Sequence, residues 1–175
     1  MKKQIVIING SGGVGKDTFV ELYSKYTNVL NISSVDLVKK SARQLGWDGG
    51  KSEKDRRFLS DLKVLATNYN DHSFNYISDT ILLFKTPSMS DTIVEHNILF
   101  IHLREPGEIA RVKERFPDVI TLLITSNRVL SISSNMADAN VDNYQYDFTI
   151  SNDGSIEDLE TKAKIFMKLQ GKGEA

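Results

Sequence analysis

Residues Gly10-Ser11-Gly12-Gly13-Val14-Gly15-Lys16-Asp17-Thr18 follow the apolar run Ile5-Val6-Ile7-Ile8 and open an amphipathic segment from Phe19 to Tyr26. A strand that feeds a glycine-rich turn and then a helix is built to hold phosphate. Backbone N–H groups in the turn can face inward around phosphate oxygens, and the helix offers its positive N-terminal end to the same anion. Lys16 can reach the outer phosphates as a compact, mobile cation. The spacing is that of a phosphate-binding loop: Gly10, four residues, then Gly15-Lys16. One position departs. The pattern asks for Ser or Thr after the lysine to hold Mg²⁺, and here Asp17 stands there with Thr18 one place later.

Outward from this stretch the chain alternates strands and helices. Lys3 to Asn9 is the first strand, its near-continuous Ile/Val content suiting a parallel strand buried on both faces. Asn28 to Ser33 is a second, followed by a helix from about Val35 with Val35, Val38, Ala42 and Leu45 as its apolar stripe. Ser52-Glu53-Lys54-Asp55 reads as a capping box for a long helix reaching about Asn70, with an apolar face of Phe58, Leu59, Leu62, Leu65, Ala66 and Tyr69. A further helix spans Ser73 to Phe84, and Pro87 marks its end. Ser88 to His96 fits either a short helix or a turn.

Strands then run over Ile98 to Leu103, Val119 to Thr125 and Tyr146 to Ser151. A helix with Pro106 in its first turn buries Ile109, Val112 and Phe116, and one capped by Ser155 uses Ile156, Leu159, Ala163 and Phe166. Residues 126–144 are polar, with Arg128 as their one cation, and a loop of that length in a compact domain is commonly functional. Gln170 to Ala175 reads as a frayed tail.

Composition narrows the function. The 175 residues suffice for one core and not for two ordinary domains. With 22 basic and 23 acidic residues the net charge is −1, so no overall field draws the chain to nucleic acid or to an anionic membrane. The absence of cysteine excludes disulfides, thiolate metal sites and thiol catalysis. The apolar run behind Met1-Lys2-Lys3 is too short for a signal-peptide core, and the expectation is a soluble cytoplasmic protein.

Several elements together resemble the P-loop nucleoside monophosphate kinase-like proteins. They are the Gly-Lys-Asp-Thr loop, Asp36-Leu37-Val38-Lys39 after the second strand, the Leu103-Arg104-Glu105-Pro106 corner, the polar loop near Arg128 and the closing Ser151-Asn152-Asp153-Gly154-Ser155. The Gly-Lys-Asp-Thr variant is similar to that of phage-type deoxynucleoside monophosphate kinases and animal phosphomevalonate kinases. The resemblance implies a three-layer α/β P-loop NTPase fold with a five-stranded parallel sheet in the order 2-3-1-4-5. Right-handed crossovers give the same general picture. It further implies one domain over 1–175, with a helical substrate-side insertion at 35–96 and a lid-like loop at 126–144.

The implied activity is phosphoryl transfer from ATP, with Mg²⁺, to a small phosphorylated acceptor, foremost a nucleoside or deoxynucleoside monophosphate. Gly10, Ser11, Gly12, Gly13, Val14, Gly15, Lys16, Asp17 and Thr18 would hold the phosphates, with Asn152 and Gly154 near the adenine. Lys16, Asp17, Arg104 and Arg128 would serve the transfer, and Asp36, Lys39, Arg43, Arg56 and Arg57 the acceptor. Asp36, Lys39 and Arg43 read equally well as the solvated side of an amphipathic helix, and Arg56 and Arg57 as ordinary surface charges. Neither the third strand nor the fourth ends in an aspartate, so the acid that helps hold Mg²⁺ in such enzymes is missing there, and Asp17 with Thr18 is expected to supply the metal ligands. The single cation of the lid keeps open a nucleotide-binding regulatory protein or slow ATPase, and because lysine and arginine recognise a phosphate whatever carries it, a kinase for a non-nucleotide phosphate is a further alternative. His72, His96 and His102 show no ligand spacing and read as ordinary surface or core histidines.

Overall fold

The apolar strands need cover on both faces, and the chain supplies it with helices from alternate connections. The computed structural model describes residues 3–86, 96–128 and 141–171. In chain order these hold β1 (Gln4–Asn9), α1 (Lys16–Ser24), β2 (Val29–Ser33), α2 (Asp36–Gln44), α3 (Glu53–Asn70), α4 (His72–Lys85), β3 (Ile98–His102), α5 (Pro106–Arg115), β4 (Ile120–Thr125), β5 (Phe148–Ser151) and α6 (Ile156–Gly171), with a 3₁₀ turn at Val141–Asn143. All strand pairs are parallel, and the sheet order is β2-β3-β1-β4-β5. The expected topology is therefore observed.

Alternate residues of β1 serve opposite faces, as the period of a strand requires. Val6 and Ile8 join α1 and α6 through Phe19, Leu22, Tyr23, Ala163 and Phe166. Ile5 and Ile7 join α4 and α5 through Ile77, Ile81, Ile109 and Val112. The first layer is aromatic: Tyr23 meets Phe100 edge-on with ring centroids 5.2 Å apart, and Phe148 meets Phe166 at 5.4 Å. Burial pushes the Tyr23 hydroxyl up to about 12, so it stays neutral in the core. Tyr23, Phe100 and Phe166, fully buried, each contribute about 1.5–3 kcal/mol relative to exposure.

Within the long insertion α2 and α4 bury residues in the core, whereas α3 is tied back rather than buried. The capping box at Ser52 forms as the sequence indicates, Ser52 Oγ accepting from Asp55 N while Asp55 accepts from Ser52 N over 2.9 Å. Yet α3 contains no buried residue, and its apolar face is only partly covered: Leu59, Leu62 and Ala66 are half-buried, while Leu65 is 66% and Tyr69 86% exposed. Periodicity marks a stripe but not whether a neighbour covers it. The same correction applies to Leu45 at the end of α2 and to Ile156 in α6, both more than half exposed. Two ion pairs anchor the insertion to α5, Lys63 with Glu108 at 3.1 Å and a two-pronged Arg111–Asp71 pair. Asp71 takes the left-handed backbone (φ 55°) that turns α3 into α4, and the Arg111 guanidinium also lies 4.0 Å from the Phe74 ring centre. That guanidinium's hydrogen bond holds the Asp71 carboxyl below the usual carboxylate range.

Small boundary shifts accompany this. The first helix begins at Lys16, inside the glycine stretch, and the last continues through Gln170 to Gly171 where fraying was expected. The expectations for residues 87–95, for 129–140 of the lid-like loop and for the tail from 172 lie outside the described residues. Among the described residues no helix is long and apolar enough to cross a membrane.

Candidate active site

The glycine loop leaves the sheet at the C-terminal end of its central strand, where the order reverses between β3 and β4. In open α/β sheets that crevice is where ligands sit. Asn9, fully buried, closes β1 and fixes the exit: its Oδ1 accepts from Gly10 N at 2.8 Å, and its Nδ2 donates to the Arg104 carbonyl at 3.0 Å and the Tyr146 hydroxyl at 2.7 Å. Gly10 (φ 145°) passes so close to β4 that a Cβ there would collide with the Ile124 carbonyl oxygen. Gly15 (φ 95°) caps α1, and a Cβ there would collide with the Asn152 amide, whose Nδ2 donates to the Val14 carbonyl at 2.9 Å. Ser11, Gly12 and Gly13 form the more open rim, while Val14 packs into the core.

Lys16 is 9% exposed and donates to the Gly10 and Ser11 carbonyls at 2.6 and 2.8 Å, so its ammonium lies within the loop. A cation and the N-terminus of α1 thus share one small concavity, a geometry suited to a multiply charged anion.

On one side of the loop stands a charged cluster. The Asp17 side chain is 87% exposed, with Oδ1 3.8 Å from His102 Nε2. His102 ends β3 between Ile8 of β1 and Ser33 of β2, and its Nε2 is buried with no hydrogen-bond partner. Burial lowers its pKa below the ordinary histidine value, with Asp17 and Asp36 opposing and Lys16 and Arg104 assisting. Asp36 accepts from Ser33 N at 2.6 Å, a turn-forming bond at the head of α2. Its charge is also felt by Tyr76 of α4, whose hydroxyl is raised first by burial and then by Asp36. Arg104 lies exposed just past β3.

On the other side, Thr18, Arg128, Asn152, Gly154, Ser155 and Leu159 line an open pocket of about 210 Å³. That is below the ~300–1,000 Å³ that encloses a drug-sized ligand. Arg128 Nη2 donates to the Asn152 carbonyl at 2.7 Å, tying the start of the lid-like loop to the β5 exit. Asp17 and Thr18, adjacent on α1, point roughly 100° apart and serve opposite sides.

Other expected residues are not brought together. Arg43 sits about 10 Å further along α2 than Asp36, since seven residues separate them, and packs over Trp47. Arg56 is exposed, and Arg57 pairs loosely with Asp61 at 3.8 Å on the surface. Lys39 is half-buried on α2, and no hydrogen bond or ion pair joins it to the cluster among the described residues. Asn9, Tyr76 and His102 are additions. Asn9 carries a readable signal, a polar residue at the end of an apolar strand just before the loop; Tyr76 and His102 carry none.

No group of three or more His, Asp and Glu side chains that could cage a metal occurs among the described residues. Magnesium bound with nucleotide needs no such cage: one or two carboxylates plus phosphates and waters suffice. The exposed Asp17 carboxylate at the loop is a hard-oxygen donor of that kind.

No protein-family sequence model matches the chain, and no curated protein matches it by sequence. Solved structures do match. Dephospho-CoA kinase from Campylobacter jejuni aligns over 100% of both chains with a TM-score of 0.56 and 17% identity. Shikimate kinase from Aquifex aeolicus aligns over 97% of this chain and 99% of its own with a TM-score of 0.52 and 13% identity. TT1252 from Thermus thermophilus aligns over 97% and 98% with a TM-score of 0.51 and 19% identity. At such identities the likeness establishes the fold alone: the chain has a three-layer α/β P-loop NTPase fold.

Proposed function

We propose that this chain is an ATP-dependent, Mg²⁺-requiring phosphotransferase whose acceptor is a small phosphorylated molecule, foremost a nucleoside or deoxynucleoside monophosphate. One observation carries the reading: the loop with buried Lys16 lies between a pocket on the Arg128 side and the Asp17, Asp36, His102 and Arg104 cluster on the other. A kinase needs that division, because donor and acceptor must meet over the transferred phosphoryl group.

In this reading the loop amides and Lys16 bind the phosphates of ATP, and Arg128 with Asn152 and Gly154 borders its base. Thr18, facing the pocket, serves the inner phosphate, which leaves Asp17 as the metal ligand. Mg²⁺ neutralises developing charge on the phosphate oxygens when bound. Arg104 meets the acceptor phosphate, with Asp36, Lys39 and Tyr76 around it. Aligned phosphates and fixed cations are sufficient equipment, since phosphoryl transfer asks for positioning and charge neutralisation rather than a nucleophilic side chain. Residues 35–96 then act as the acceptor-side insertion of a single domain and 126–144 as its lid. The preference for a nucleotide acceptor rests on the sequence resemblance, because arginine and lysine recognise a phosphate whatever carries it.

The test is ADP release from Mg-ATP by the purified chain, with panels of nucleoside monophosphates, deoxynucleoside monophosphates and non-nucleotide phosphates, beside Lys16→Ala. Stimulation by one acceptor class, abolished in Lys16→Ala, supports the reading and names the class. Nucleotide binding without stimulation by any acceptor overturns it in favour of a nucleotide-binding regulatory protein.

A further inference from the structure

We propose that Asp17 and His102 form an exchanged magnesium-holding pair, in which the loop supplies the carboxylate and the imidazole at the end of β3 holds that carboxylate in place. The inference rests on the reading of the chain as a Mg²⁺-dependent phosphotransferase. In P-loop enzymes a hydroxyl directly after the loop lysine and an acid carried elsewhere share the metal. Here the hydroxyl position after Lys16 holds an acid, and the end of the strand beside β1 holds no acid but a donor. The two changes are complementary, and the fold sets them against each other.

The geometry supports a division of labour. His102 Nε2 is buried and unpartnered, and the nearest carboxylate oxygen is Asp17 Oδ1 at 3.8 Å, beyond hydrogen-bond range. Asp17 is 87% exposed and free to rotate, whereas His102 is fixed in the sheet with only 14% of its side chain exposed. A turn of the Asp17 side chain of less than about 1 Å brings the oxygen to ~2.9 Å from Nε2, the ordinary N–H···O distance. One oxygen then accepts from the imidazole, and the other is held toward the loop rim. Ligating carboxylates are commonly oriented by such a donor, and its removal typically costs about 10–100-fold in metal affinity. His102 is on this account a positioning residue, acting through Asp17.

The experiment measures ADP affinity of the full chain by calorimetry with and without Mg²⁺, and reads the ratio. Mn²⁺ serves as a spectroscopic probe of the same complex by electron paramagnetic resonance. In the wild type the metal tightens ADP binding. His102→Leu is expected to lower the tightening ratio about tenfold or more and to alter the Mn²⁺ spectrum. His102→Gln, which keeps an N–H donor, retains most of the ratio. Asp17→Thr loses it, and Asp17→Thr combined with His102→Asp, which restores hydroxyl and acid to their usual places, recovers it. An unchanged ratio and spectrum in His102→Leu would overturn the pair, as would a double variant no better than Asp17→Thr. If His102→Leu fails to fold, the glutamine variant and the double exchange decide alone. A wild type that binds no ADP under either condition removes the phosphotransferase reading itself, an outcome distinct from metal-tightened binding that ignores His102.

Discussion

Asn9 and Tyr146 are joined by a 2.7 Å hydrogen bond across the mouth of the glycine loop, and Tyr146 passes its own proton to the Val141 carbonyl at 2.9 Å. The residue that launches the loop is thereby coupled to the segment that returns from the lid-like stretch. Tyr146→Phe removes the acceptor for a buried amide and the donor to Val141. We expect it to cost about 1–3 kcal/mol by denaturant unfolding, the price of leaving a buried polar group unsatisfied. It should also weaken ADP binding several-fold by loosening Gly10.

The two glycines with neighbours pressed against them give a ranking. Gly10→Ala places a Cβ against a backbone carbonyl of β4, which cannot move without the sheet, whereas Gly15→Ala meets the Asn152 side chain, which can swing. Both also force alanine into left-handed or otherwise strained backbone, at roughly 1–3 kcal/mol. Thermal unfolding should place Gly10→Ala below Gly15→Ala. The reverse order would mean that Asn152 is the more rigid obstacle.

Arginines separate by position. Arg128→Ala should weaken ADP binding about tenfold with little loss of stability, because its contacts are with the β5 exit beside the pocket. Arg57→Ala should leave ADP release and its acceptor dependence unchanged, since an exposed pair with Asp61 contributes little. Calorimetry and the ADP-release assay check the two.

Acid stability offers a titration with a known sign. Burial pushes the Asp147 carboxyl up, but donation from Thr121 N, Lys113 and the Thr121 hydroxyl outweighs it, and the net shift is downward from 3.8. A carboxyl depressed in the folded state stabilises the fold above its unfolded pKa, and that contribution is lost as pH falls through the folded value. Wild type should therefore lose stability below about pH 4 more steeply than Asp147→Asn, whose curve starts lower and is flatter. Parallel curves in chemical denaturation would contradict the assignment.

The sheet was legible because its strands are almost continuously Ile, Leu and Val, and a strand so apolar is stable only with helices on both faces. The loop was legible because its glycines and lysine stand at a fixed spacing within one short stretch behind an apolar strand. What could not be read was anything decided between distant segments. The stripe from Phe58 to Tyr69 has helical period, but the sequence does not say that α3 stands off the core. His102 looked ordinary because the carboxylate that lies 3.8 Å from it, Asp17, is on α1, far away in the sequence. Arg56 and Arg57 have the right chemistry for an acceptor phosphate, and in the structure both stand exposed on α3, Arg57 beside Asp61.

The reversal of strand order at β1 carries a last consequence. The cluster beside the loop draws on Asp36, Tyr76, His102 and Arg104, all before α5, while the pocket draws on Arg128, Asn152, Gly154 and Leu159, all after it. On the proposed reading the two halves of the chain carry separate recognition tasks and meet at residues 10–18. Substitutions in the earlier half can retarget such a protein while its grip on the nucleotide stays untouched, so diversification and retention proceed on different stretches of one short polypeptide.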